Sequence, residues 1–323
     1  MGLTQLTELF DVYNKSLAVV QPNIGEAFVC PICLQKFGRE AIINRGLTLE
    51  HVPPRSIGSA IITLTCKQCN SEIGNRLQNQ MKNYVIKKAF SIGRVPKGGI
   101  PARAEIEGQA WSMVVKEVVR DEQGRRRIKC SSLPTHVSPQ VWPNNPSEMI
   151  DKKAHVSLRL RSSQDTVNVA YLHSAYLALF YYLGYPYITQ RLLDPVRDKI
   201  VSFSTKGGIP HVIRAPGVYL DPRDRTLEIG LLWQSLKISC LTVVIAGELI
   251  VMPFLNNSYI RIFETLYEAY KAKLEGRKLS KRKLGIRVTP LLIDPDCKFS
   301  TGFRFEDGGL VYNNIQALKL VPN

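Results

Sequence analysis

Cys30-Pro31-Ile32-Cys33 and Cys66-Lys67-Gln68-Cys69, with Glu50-His51 between them and Asn70 directly after the last thiol, form the stretch on which this chain turns. Two Cys-x-x-Cys knuckles of equal spacing supply four thiolates for one closed, tetrahedral structural zinc site and draw the ends of the intervening loop together. That loop holds 32 residues, longer than the roughly 15–20 of a simple zinc ribbon, so further structure is expected inside it. It carries an acid beside a histidine, and the closing knuckle delivers an amide. That combination looks like a hydrolytic metal site held together by zinc. The other readings of the four cysteines are ordinary burial and disulfide pairing. Cys130, Cys240 and Cys297 are scattered and bring the total to seven, an odd count that suits a reducing compartment better than a disulfide framework.

The segment 46–54, Gly-Leu-Thr-Leu-Glu-His-Val-Pro-Pro, reads as a short strand that stops at its prolines. Residues 61–65, Ile-Ile-Thr-Leu-Thr, are a second β-branched run leading into Cys66, and residues 55–59 supply the turn. From Asn70 onward, Ile73, Leu77, Met81, Tyr84 and Val85 recur at helical spacing, with Asn70 or Ser71 as N-cap. The predicted local layout is strand, strand, helix, pinned by zinc.

These residues carry a resemblance. The two knuckles, Glu50-His51 followed by Pro54, and Cys69-Asn70 with Gly74 behind are similar to the zinc-containing branch of the HNH nucleases, also called ββα-metal or His-Me finger nucleases. The resemblance covers residues 30 to about 85 and implies a zinc-stapled ββα-metal module. It implies that His51 is the general base that activates water, that Glu50 binds one Mg²⁺ or Mn²⁺, and that Asn70 is a second protein ligand to that ion. A neutral imidazole titrates near working pH, and carboxylate and amide oxygens are hard ligands suited to Mg²⁺. The implied reaction is hydrolysis of DNA phosphodiesters to 5′-phosphate and 3′-hydroxyl ends, in defence or DNA processing. The sequence departs from the family pattern twice. Gly58-Ser59 stands where a Gly-Gly pair is common, and the middle asparagine, which normally orients the catalytic histidine, is missing from residues 59–64.

With 323 residues, two domains are expected. The punctuation in 95–101, Val-Pro-Lys-Gly-Gly-Ile-Pro, places the boundary: residues 1–94 as the HNH-type domain with an N-terminal helix over 4–19, and residues 95–323 as a larger α+β domain that binds nucleic acid or a partner. The composition, 45% apolar and 22% charged, supports a sizeable core, and the net charge of +16 favours a polyanion such as DNA. A second copy of the chain or an activator protein is a further possible partner. No secretion signal or bilayer-length apolar run is read, which places the chain in the cytoplasm and off the membrane.

In the second domain, strand runs are expected at 102–109, 111–119, 126–131 and 155–160, followed by a helix over 167–182 ended by Gly184 and another over 187–203 broken near Pro195. Strands then resume at 217–220, 226–232 and 241–253, an amphipathic helix spans 258–275, and short strands follow from Val288. Arg125-Arg126-Arg127 and the basic run 277–283 are candidate phosphate contacts, or solvated loops. His136, His155, His173 and His211 are read as ordinary structural histidines. The rival to the nuclease reading is a non-catalytic zinc module that binds nucleic acid.

Overall fold

In the computed structural model, the loop between the two knuckles is a hairpin that runs straight into a helix. The structure describes residues 2–59, 61–106, 109–120, 122–123, 126–132, 154–203, 215–216, 227–234, 237–253, 286–292, 303–306, 309–312 and 319–320. Helix α1 (Gly2–Val20) buries Phe10, Tyr13, Ser16 and Leu17, one face at helical spacing. The first knuckle is carried by a two-stranded ribbon, β1 (Phe28–Val29) with β2 (Lys36–Phe37), followed by the short α2 (Glu40–Ile43). Strands β3 (Leu47–Val52) and β4 (Ile61–Cys66) pair antiparallel, with Glu50 opposite Thr63 and His51 opposite Ile62. Then come α3 (Lys67–Cys69), a π-helical turn (Asn70–Gly74) and α4 (Asn75–Ser91). The expected strand, strand, helix order is present. The wide π turn where one continuous α-helix was expected widens the backbone at Asn70.

Helix α5 (Gln164–Leu183) is buried on nearly every side, including Val169, Leu172, Tyr176, Leu179 and Phe180. The single stripe expected from its spacing is too narrow, because a helix apolar all round belongs inside a core. It touches β3 and β4 as well as α6 (Tyr185–Ile188) and α7 (Asp194–Ser202). The helix expected over 187–203 with a break near Pro195 is two helices, joined through a 3-10 turn at Arg191–Leu193. Pro195 sits in the first turn of α7, where its missing N–H costs nothing.

Tyrosine hydroxyls tie this helical region to the first knuckle. Tyr185 Oη accepts from Val29 N–H at 2.8 Å and donates to Val29 carbonyl at 2.5 Å. Tyr176 Oη donates to Pro31 carbonyl at 2.7 Å and accepts from buried Arg197 at 3.3 Å. Arg197 also donates to Ile188 carbonyl at 2.5 Å and pairs with Asp194. The rings stack too: Tyr13 lies 4.3 Å from Phe180, centroid to centroid, at an interplanar angle of 9°.

A six-stranded antiparallel sheet follows, built from β9 (Ala215–Pro216), β10 (Leu227–Gln234), β11 (Lys237–Ile245), β12 (Glu248–Pro253), β13 (Ile286–Leu292) and β16 (Lys319–Leu320). Its order is β16-β13-β10-β11-β12-β9. The apolar run 241–253 reads as one strand but is a hairpin, because Ala246 (φ 48°) and Gly247 (φ 74°) both take left-handed conformations, as a two-residue type I′ turn requires. Strands β14 (Phe303–Glu306) and β15 (Gly309–Tyr312) form a separate pair.

By contacts, Met1–Asn79 and Gln164–Asn323 make one compact unit and Gln80–Ser163 the other. The second unit is a four-stranded antiparallel sheet in the order β7-β6-β5-β8, from β5 (Ile100–Ile106), β6 (Gln109–Arg120), β7 (Arg126–Ser132) and β8 (Ala154–Leu158). Its core of Ile100, Ala102, Ala104, Met113 and Val115 is covered by Ile86 and Phe90 of α4. The punctuation at 95–101 thus links α4 to β5 inside this unit, and the boundary expected at residue 95 does not coincide with the division by contacts. Chain order misleads here because α5 returns to the hairpin. The described residues are a mixture of helix and sheet, compatible with α+β. The helix expected over 258–275 and the basic run 277–283 lie outside the described residues. Among the described residues no helix is long and apolar enough to cross a membrane.

Replacing Tyr176 with Phe removes the hydroxyl between the knuckle carbonyl and Arg197 and leaves both buried groups short of a partner. The expected loss is about 1–3 kcal/mol of unfolding free energy, read from urea denaturation, with bound zinc retained.

Candidate functional site

The first knuckle is a tight turn. Leu34 N–H donates to Cys30 carbonyl and Cys30 N–H to Gln35 carbonyl, both at 2.9 Å. Leu34 takes the left-handed region (φ 59°), a conformation that costs a branched residue about 1 kcal/mol or more. The second knuckle begins at the last residue of β4, where Cys66 Sγ accepts from Cys69 N–H at 3.4 Å. The four sulfurs of Cys30, Cys33, Cys66 and Cys69 lie within 4.8 Å of one another, and those of Cys33 and Cys66 are 3.8 Å apart. A disulfide needs about 2.05 Å, whereas four thiolates about 2.3 Å from a tetrahedral zinc stand about 3.8 Å apart. The cluster has the spacing of a metal site and can hold a zinc ion. Four sulfurs this close also compete for protons. Hydrogen bonds from Cys30 and its neighbours hold Cys33 far below the ordinary thiol range and Cys66 down to about 7, while burial pushes Cys30 up.

Glu50, on β3, is 3% exposed. Its Oε1 accepts from Gln78 Nε2 at 3.0 Å, and burial pushes its carboxyl up to about 7 although the Gln78 bond opposes the shift. No cation pairs with it among the described residues. Asn70 is oriented from β3, its Nδ2 donating to Thr48 Oγ1 and Leu49 carbonyl, each at 3.0 Å. Both of its amide hydrogens are thereby engaged, and its Oδ1 faces the other way. A Cβ at Gly74 would lie 3.2 Å from Asn70 Oδ1, 3.2 Å from Gln78 Nε2 and 3.6 Å from Glu50 Oε2. The bare glycine therefore floors a cradle lined by one carboxylate oxygen, one amide oxygen and the Gln78 amide nitrogen. The two oxygens are hard donors, one of them from a carboxylate that has no cationic partner among the described residues.

His51 follows Glu50 on the strand, where successive side chains leave opposite faces, and its partners are separate from those of the cradle. Its Nδ1 lies 3.1 Å from Ser59 Oγ, and its Nε2 accepts from Arg55 Nε at 2.7 Å. Partial burial, and to a lesser degree the Arg55 charge, lower its pKa. It lines a pocket of about 580 Å³ with Arg55, Ser59, Glu8 of α1 and Tyr181 of α5. The structure thus brings Glu50 and Asn70 together and places the imidazole in a neighbouring pocket.

Three polar residues escaped the sequence reading. Gln78 is detectable as the third member of the i, i+4, i+8 row Asn70-Gly74-Gln78, whereas Arg55 and Ser59 sit in the turn and carry no spacing signal. Of the other histidines, His173 is buried in α5 and burial lowers it to about 4, His155 is exposed on β8, and His136 and His211 lie outside the described residues.

Cys33→Ser or Cys66→Ser is expected to abolish bound zinc and the cooperative unfolding transition together. Structural zinc contributes about 10–16 kcal/mol in small modules, comparable to the whole stability of a domain; elemental analysis and calorimetry on the same samples read both. For Glu50, the raised pKa means that the protonated form favours folding below about 4.5, and that this contribution is lost as pH rises through about 7. In magnesium-free buffer Glu50→Gln should therefore be more stable than wild type at pH 8, by roughly 2–3 kcal/mol, with the gap narrowing towards pH 6 in thermal or urea unfolding. Comparison with protein-family models, curated proteins and solved structures returns no match.

Proposed function

We propose that the chain is a metal-dependent HNH-type endonuclease that hydrolyses DNA phosphodiester bonds, with a zinc-stapled ββα module as its catalytic part. The observation that carries this reading is the cradle at Gly74, where Glu50 Oε2 and Asn70 Oδ1 both lie within 3.6 Å of the position a Cβ would take, between a hairpin and a helix that the thiol cluster joins. Mg²⁺ or Mn²⁺ bound there would stabilise charge on the scissile phosphate and the leaving 3′ oxygen. Glu50 and Asn70 would hold the ion, Gln78 would fix the carboxylate, and Thr48 with Leu49 carbonyl would fix the amide.

His51 would take a proton from the attacking water at Nε2. The hairpin is only two strands wide, about 5 Å between strand axes, so a phosphate laid over the rim of β3 reaches the carboxylate on one face and the imidazole on the other. The net charge of +16 supports a polyanionic substrate. A second reading, a zinc-containing nucleic-acid-binding module without catalysis, is favoured by one observation: the Nε2 lone pair that a base must use is engaged by Arg55.

Plasmid digestion separates the two. The nuclease reading expects nicked or linear product with Mg²⁺ or Mn²⁺, none with EDTA under conditions that leave the tightly held zinc in place, and a fall of at least about a hundredfold for His51→Ala, with DNA binding retained in a gel-shift assay. Zinc-loaded protein that binds plasmid, single-stranded and branched DNA but cuts none of them with either ion supports the binding module.

A further inference from the structure

Hydrogen-bond directionality around His51 fixes where its proton sits. Ser59 Oγ donates to Ile61 carbonyl at 3.2 Å. A hydroxyl has one hydrogen, so towards His51 Nδ1, 3.1 Å away, the same oxygen can only accept, and Nδ1 must carry the hydrogen. On the far side of the ring, Arg55 Nε lies 2.7 Å from Nε2. A guanidinium is a donor only, so Nε2 must carry the lone pair. Two restraints from different residues agree on one tautomer, in a continuous chain from Arg55 through His51 and Ser59 to Ile61 carbonyl.

We propose that Ser59 is the positioning residue for His51, holding the ring as its Nδ1–H tautomer with the Nε2 lone pair turned into the pocket. This rests on the nuclease reading for its purpose and on the hydrogen bonds for its content. The two departures of the sequence from the HNH pattern become one substitution in this light. The chain lacks the middle asparagine that would orient the histidine, and it has a serine in place of the second turn glycine. Gly58, at φ 93°, keeps the reversal that the turn needs, leaving the next position free to carry a side chain. Ser59 and His51 line the same pocket, with Glu8 of α1 and Tyr181 of α5 across it. Arg55 caps the lone pair at rest. A phosphate entering the pocket offers the guanidinium a charged, bidentate partner, and its departure exposes Nε2.

The test is ¹⁵N NMR of the histidine ring nitrogens in the zinc-loaded full chain, at a pH where the imidazole is neutral, with His51→Gln used to assign the signal. Wild type and Arg55→Gln should show His51 protonated at Nδ1. In the Arg55→Gln background, Ser59→Ala should give a mixed or inverted tautomer, and Ser59→Thr should restore it. Where cleavage is measurable, Ser59→Ala should lower kcat about tenfold to a hundredfold, the usual scale for an imidazole's orienting partner, with KM unchanged and Ser59→Thr again restoring the rate. A wild-type ring protonated at Nε2, or an Arg55→Gln/Ser59→Ala spectrum identical to that of Arg55→Gln, overturns the assignment. If no form of the protein cuts DNA, the nuclease reading falls while the spectra still decide what Ser59 does to the ring.

Discussion

Four sulfur atoms held within 4.8 Å of one another are the constraint from which the rest of the site follows. Cys30 and Cys33 belong to a small ribbon early in the chain, and Cys66 is at once the last residue of β4 and the N-cap of the helix that follows. Gathering them leaves no slack between strand and helix. Asn70 arrives one residue after the last thiol, its backbone widened by the π turn, and its amide falls against β3 at Thr48 and Leu49. The energy that gathers the thiols is folding energy, so a short hairpin that would be marginal alone becomes a rigid support.

On that support the polar groups are placed against their own solvation preference. A carboxylate buried to 3% exposure, with Gln78 as its hydrogen-bond donor among the described residues, is held away from water, and burial raises its pKa. The imidazole next door is held differently, by a donor on one nitrogen and an acceptor on the other, so hydrogen bonding sets its tautomer while burial and the Arg55 charge lower its pKa. Two neighbours on one strand thus serve opposite electrostatic ends because the strand alternates them between two surroundings.

The hairpin also needs a core, and the chain supplies it from far away. Phe180 stacks on Tyr13, Tyr176 and Tyr185 bond the knuckle backbone, and buried Arg197 of α7 ties Tyr176 to α6. Each hydroxyl satisfies a knuckle or strand group that would otherwise be stranded in apolar surroundings. This is why residues 164–203 belong to the same unit as residues 1–79 although 84 residues lie between them, and why punctuation at 95–101 did not mark the division by contacts. Helix spacing in α5 was legible, but its all-round burial was not, because periodicity reports one face and the other faces were decided by β3 and β4, about a hundred residues earlier in the chain, and by the β11–β12 hairpin.

From the residues alone came the sulfur cluster, the strand, strand, helix order and the chemical types at Glu50, His51 and Asn70, since spacing of thiols, alternation and turn prolines are local properties of the chain. What folding alone decided is which atoms face which. Gly74 proved to floor the cradle, Gln78 to steady the carboxylate, and Ser59 and Arg55 to hold the two nitrogens of the ring. These are distances across turns and between elements, and a linear sequence carries them only through the packing that brings a helix onto a hairpin.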